Sequence, residues 1–247
     1  MANYEMEVNL PSDGKFYEDR ISKLTIRNLT TDEEMKIYGS TSTTVVDRVI
    51  NSCIIEPKGF DCGTLIPADK FYLMIQLRIN TYGSMYKQES YCPRCEREGI
   101  FELDLDRLEC DYLPENFKIP LKLRLPISKD VIELKILNTN RYNSIKERAE
   151  KIAKNTGGKV EEIEYKLKLA AQIKSINDKE VDTFEAENYV KGLHGRDSQT
   201  INSAIKSIKV GYSGIANIVC PHCHKEFQAP FIMNSEFFRP TLDVEWL

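Results

Sequence analysis

Tyr91-Cys92-Pro93-Arg94-Cys95 and Ile218-Val219-Cys220-Pro221-His222-Cys223 are the two stretches that decide how this chain folds. Each holds a Cys-Pro-x-Cys turn. Each is entered from an apolar or aromatic run. The first is left through Ile100, Phe101, Leu103 and Leu105, the second through Phe227 and Phe231. Such a turn sets two sulfurs on one side of a tight loop, and the proline presets the backbone. Two facing turns supply four soft thiolates, the donor set of one closed tetrahedral zinc site. The expectation is a zinc ribbon in which Cys92, Cys95, Cys220 and Cys223 hold one structural Zn2+ per chain. Ribbon knuckles are usually separated by roughly 15–20 residues. Here residues 96–219 intervene, so a shared ion would close a loop of more than half the protein.

Three alternatives stay open. Each knuckle could be a half-site bridging to another chain. Either could be a redox Cys-x-x-Cys, although that chemistry needs a thiolate at a helix N-terminus and neither knuckle opens a helix. His222 or His224 could replace a thiolate. With four cysteines available, both are read as neighbours of the ligands or as solvent-facing.

Outward from the knuckles, the chain reads as α+β. Residues 1–84 form an N-terminal domain of a hairpin and helices. Tyr4, Met6, Val8 and Leu10 alternate as a strand, Pro11-Ser12-Asp13-Gly14 is a turn, and Leu24–Arg27 is the second strand. Thr31 and Glu34 have capping-box spacing for a helix ending near Gly39. Val45, Val46, Val49, Ile50 and Cys53 mark a second helix, and Ile54 to Gly63 reads as a loop. Pro67 opens a third helix running to about Tyr82. It is apolar nearly all round, so it is expected to be the most buried. Arg78 stands out within it: a snorkelling arginine or an internal ion pair, or less simply a partner contact.

Residues 85–110 and 212–247 make the discontinuous ribbon and its tail. Residues 111–211 are the insertion: a connector, a hairpin with turn Pro126–Asp130, and a helical region from about Asn140 to Lys209. Within it Gly157-Gly158 breaks the first helix, and Val160, Ile163, Leu167 and Ala171 mark the second. Phe184 to Leu193 and Ile201, Ile205 and Ile208 mark two more, the last capped by Asp197 or Ser198. Phe237, Phe238, Trp246 and Leu247 are many apolar side chains for a tail; they fold back on the ribbon or dock on another subunit.

The 247 residues, 41% hydrophobic and 29% charged, are ordinary for a globular protein. A net charge of −4 with interleaved signs offers no polycationic surface. The knuckles themselves balance Lys87, Arg94 and Arg97 against Glu89, Glu96 and Glu98, so nucleic acid is disfavoured as a partner. Met1–Glu5 lacks the features of a signal peptide, and no run approaches the about 20 apolar residues of a bilayer span. Seven cysteines, with Cys53, Cys62 and Cys110 outside the knuckles, argue for a reducing compartment and a metal site over a disulfide framework. No nucleophile has an adjacent base, and Thr156-Gly157-Gly158-Lys159 lacks the remainder of a phosphate loop. The expectation is no enzyme and no small-molecule substrate.

Val8-Asn9-Leu10-Pro11-Ser12-Asp13-Gly14-Lys15 resembles the opening of baseplate hub proteins of T-even-like contractile-tailed bacteriophages. So do Leu24–Thr30 leading into a helix with Glu33-Glu34, then Phe71 to Arg78, Gly83 and a CPxC knuckle. Gly195-Arg196-Asp197-Ser198 and Glu236-Phe237-Phe238-Arg239-Pro240 resemble the longer members. The resemblance covers most of the chain. It implies a structural or assembly component of the baseplate hub, with other hub and tail proteins as partners. It implies a place in the host cytoplasm during assembly or in the virion tail. The smaller members lack the full pair of knuckles, so the zinc rests on the cysteines alone. A zinc-ribbon adaptor for nucleic acid or a polymerase complex is the alternative.

Overall fold

The computed structural model describes residues 4–37, 43–234 and 236–240, and its fold is α+β. The chain opens with β1 (Glu5–Asn9) and β2 (Lys23–Arg27), paired antiparallel from Glu5 opposite Arg27 to Asn9 opposite Lys23. Their alternation turns Val8, Leu24 and Ile26 into the core. A third strand, β3 (Ile54–Glu56), joins the far side of β2 with Ile54 opposite Ile26. The segment read as a loop from Ile54 therefore begins as a strand. Its length is too short to show a period.

Two helices, α1 (Thr31–Ile37) and α2 (Thr43–Cys53), lie between β2 and β3. The capping box is formed one residue earlier than the Thr31/Glu34 spacing suggests. The Glu33 carboxylate accepts from the Thr30 N–H at 2.9 Å, and the Glu33 N–H donates to Thr30 Oγ1 at 3.4 Å. Glu33 is held there by Arg27, which donates to both its oxygens at 2.7 and 2.9 Å. The expected end of α1 near Gly39 lies outside the described residues.

α3 (Pro67–Tyr82) is the spine. Proline suits its first turn, where the missing N–H costs nothing, and Gly83 at φ 83° ends it. Leu73, Ile75 and Leu77 are fully buried, and so are Asp69 and Arg78. Asp69 accepts hydrogen bonds from the Ser12 N–H, the Ser12 hydroxyl and Tyr17, pinning the turn after β1 onto the helix. Arg78 neither snorkels nor meets a carboxylate among the described residues. It donates to the carbonyls of Gly83 at 2.7 Å and Met85 at 3.0 Å and lies 5.1 Å from the Tyr82 ring centroid. The turn leaving α3 is thus built around a buried guanidinium.

β4 (Met85–Tyr91) and β5 (Glu98–Asp104) form the first ribbon hairpin. The insertion follows. Its entry, β6 (Cys110–Asp111), and its exit, β11 (Gly211–Tyr212), pair antiparallel. Tyr212 stacks on Tyr72 of α3 at 5.2 Å, which fastens both ends to the spine.

Between them, β7 (Leu121–Arg124) and β8 (Val131–Leu134) form the expected hairpin. The helices are α4 (Thr139–Thr156), α5 (Val160–Gln172), α6 (Thr183–Gly192) and α7 (Gly195–Lys206). The stretch is not wholly helical: β9 (Ile173–Ile176) and β10 (Lys179–Glu180) follow α5 directly and extend the sheet in the order β10-β9-β8-β7. His194, not Asp197 or Ser198, caps α7, its Nδ1 accepting from the Arg196 N–H at 3.1 Å. Asp197 instead binds the N–H groups of Ile127 and Ser128 and holds the β7–β8 turn.

The chain closes with β12 (Ile215–Val219) and β13 (Glu226–Pro230). One continuous core runs from Val8, Leu24 and Ile26 through α3 to Phe101, Ile218, Phe227, Phe237 and Phe238. Two smaller clusters lie within the insertion.

Candidate metal centre

The two knuckles are built alike. In the first, the Cys92 N–H donates to the Arg97 carbonyl at 2.9 Å and the Glu96 N–H to the Cys92 carbonyl at 2.9 Å. In the second, the Cys220 N–H donates to the Lys225 carbonyl at 3.0 Å and the His224 N–H to the Cys220 carbonyl at 2.9 Å. The residue after the second cysteine is left-handed in both, Glu96 at φ 59° and His224 at φ 54°. This is the conformation that brings the chain back into the hairpin after the second sulfur.

The hairpins β4–β5 and β12–β13 face the knuckles toward each other. Cys92 Sγ lies 3.9 Å from Cys223 Sγ, and Cys95 Sγ lies 3.7 Å from Cys220 Sγ. All four sulfurs lie within 4.8 Å of one another, and all four cysteines are free thiols. A tetrahedral zinc with Zn–S of about 2.3 Å needs sulfurs about 3.8 Å apart. The cross-knuckle distances match that edge, so the donor set and its spacing fit a closed thiolate site. Burial raises the Cys220 thiol, but the N–H groups of Cys223 and His222 outweigh it and bring it down to about 7. Burial and the sulfur of Cys220 push Cys95 up to about 12.

His222 and His224 are exposed and stand outside the cluster. The unpaired cysteines are separate from it. Burial pushes Cys53 and Cys62 to about 12 and Cys110 to about 11, so all three are inert thiols at neutral pH.

The shell that aligns the hairpins was not legible as a motif. Phe101 and Phe227 meet edge to face at 5.5 Å beneath the knuckles. Gln88, buried in β4, donates to the Pro230 carbonyl at 3.0 Å and accepts from the Ile232 N–H at 3.1 Å. The Tyr86 hydroxyl donates to the Ile232 carbonyl at 2.9 Å and accepts from the Asn234 N–H at 3.0 Å. The two side chains lie two residues apart on one face of β4 and clamp the strand that leaves β13. Phe237 packs against Tyr86 at 5.4 Å, so this part of the tail folds back on the ribbon. Trp246 and Leu247 lie outside the described residues.

Fold and cluster together define an α+β protein whose four cysteines can hold a metal ion. No helix among the described residues is long and apolar enough to cross a membrane. The family model described as T4 bacteriophage base plate protein matches residues 1–239, and the chain belongs to that family. No curated protein and no solved structure matched.

Proposed function

We propose that this chain is a structural or assembly component of the contractile-tail baseplate, working at its hub through protein–protein contacts. The family match over residues 1–239 carries the reading. In it, Cys92, Cys95, Cys220 and Cys223 hold one structural zinc, and the metal closes the ribbon of residues 85–110 and 212–247. The N-terminal domain, residues 1–84, packs beside it, and residues 111–211 form an insertion that emerges from the ribbon and is tied back to the N-terminal part where the Thr139 N–H and hydroxyl donate to the Leu65 carbonyl at 2.8 and 2.9 Å. Four thiolates would fill the zinc shell and leave no position for a reacting water, so the metal serves folding and not catalysis. The protein acts in the host cytoplasm during assembly, either as an assembly factor or as a subunit that stays with the tail.

Tagged protein recovered from infected cells tests this. The expected outcome is co-purification with tail and baseplate proteins, unaffected by nuclease. Recovery with DNA, RNA or polymerase in a salt-sensitive complex would contradict it and favour the adaptor reading.

A further inference from the structure

Two sheets of this chain end on open strands of opposite charge. β1 is an outer strand of the sheet β1-β2-β3, and β7 is an outer strand of β10-β9-β8-β7. The strands on the far sides, β3 and β10, have three and two residues, too short to template another strand. β1 and β7 have five and four.

The antiparallel ladder decides what each edge offers. The Leu10 N–H donates to the Ser22 carbonyl at 2.7 Å, so Val8 and Met6 bond toward β2 by alternation. The backbone groups of Glu5, Glu7 and Asn9 therefore point outward, and their side chains are exposed. The Leu125 N–H donates to the Asp130 carbonyl at 2.8 Å, so Leu123 and Leu121 bond toward β8. The backbone groups of Lys122 and Arg124 point outward, again with exposed side chains. One edge presents carboxylates at alternate residues, and the other presents cations at the same spacing.

Charge on an edge strand guards against pairing. Here the guard is selective. β1 against β1 brings carboxylates together and β7 against β7 brings cations together, and both repel. β1 against β7 attracts. Glu5 and Arg124 have no oppositely charged partner of their own among the described residues: Arg27, across from Glu5 on β2, is committed to Glu33, and Arg124 donates only to the Lys129 carbonyl. Within one chain the two edges belong to separate sheets and do not pair, so the match is open to a second copy.

We propose that β1 of one copy adds antiparallel to the β7 edge of another. Glu5 then lies opposite Arg124 and Glu7 opposite Lys122, each pair exchanging both backbone hydrogen bonds. The same register sets Met6 opposite Leu123 and Val8 opposite Leu121, so the apolar face of each strand continues into the other. A slip of one residue would turn the acids onto the leucine face. Asn9 falls opposite Pro120, whose carbonyl still accepts although it has no N–H to give. Glu7 exchanges its pair with Lys23 at 2.8 Å, and Lys122 its pair with Asp178 at 2.6 Å; both are exposed contacts that cost little to break. The proposal is independent of the metal and of the hub assignment.

Sedimentation equilibrium of the full chain at low salt tests it. The wild type should self-associate. Glu5→Lys with Glu7→Lys, or Lys122→Glu with Arg124→Glu, should each weaken association about tenfold, because two cross-strand attractions become repulsions. All four changes in one chain should restore it to within about threefold, whereas a contact between like edges would stay broken. Glu7→Pro deletes an outward N–H without touching the β1–β2 bonds; it should weaken association while circular dichroism and melting stay unchanged. A monomer at every concentration, association indifferent to both reversals, or a combined variant that stays weak would each overturn the proposal.

Discussion

Stripping the metal from the ribbon should cost stability on a scale set by the loop it closes. Cys95 and Cys220 are 125 residues apart in sequence and 3.7 Å apart in space. A cross-link closing a loop of that size removes about 5 kcal/mol of conformational entropy from the unfolded chain. The Phe101–Phe227 contact and the Gln88 clamp use none of the four sulfurs, so the apo protein should retain secondary structure and lose stability instead of collapsing outright. The assay is urea unfolding followed by far-UV circular dichroism, with and without a zinc chelator. Unfolding free energy should fall by about 5 kcal/mol on chelation. Cys95→Ser should reproduce most of the loss, and Cys110→Ser almost none. A change under about 1 kcal/mol, the size of an ordinary surface substitution, would refute the clasp.

Glu33→Ala should destabilise by about 1.5–3 kcal/mol in the same assay, since it removes the carboxylate from the half-buried Arg27 guanidinium and leaves it the carbonyls of Asn28 and Ser52. Arg27 holds the Glu33 carboxyl well below the usual range, against burial that raises it. The folded-state value is thus the depressed one. The pair's stabilisation is complete above about pH 4.3 and is lost as pH falls through the folded value, a loss that Glu33→Gln should blunt in an acid titration. Phe227→Ala should cost about 3–5 kcal/mol by emptying the space against Phe101, read as a fall in melting temperature. His224→Gly should preserve metal content and stability, whereas His224→Val should lose about 1–2 kcal/mol because a β-branched residue resists a positive φ. Loss of metal in the glycine variant would show that the imidazole is a ligand.

Much of this architecture could be read from residue order, for local reasons. Pro67 and Gly83 bracket α3, Gly157 ends α4, and Pro126–Asp130 joins β7 to β8, because each residue presets its own backbone angles. The knuckles were legible because chemistry demands cysteines at that spacing. What escaped was set by contacts distant in sequence. β9 follows α5 with no breaker, so Ile173–Ile176 reads as more helix. Only Asn177 and Asp178, both at positive φ, signal the turn to β10. Asp197 looked like a cap because of its position, yet it is claimed by the Ile127 and Ser128 N–H groups about 70 residues away. Thr30 displaces Thr31 as the cap because Arg27 has already placed Glu33. The partners of Arg78 are carbonyls, which no side-chain pattern can announce. At the candidate metal centre the four sulfurs were identifiable, but Tyr86 and Gln88, which align the hairpins, look like any polar residues of an alternating strand.

The most direct test of the ribbon is the metal content of untagged protein purified without added metal, by elemental analysis against protein concentration. One zinc per chain, falling toward zero in Cys95→Ser and in Cys223→Ser, is the predicted result. No metal, half an equivalent shared between chains, or a full equivalent surviving both substitutions would contradict the closed four-cysteine clasp.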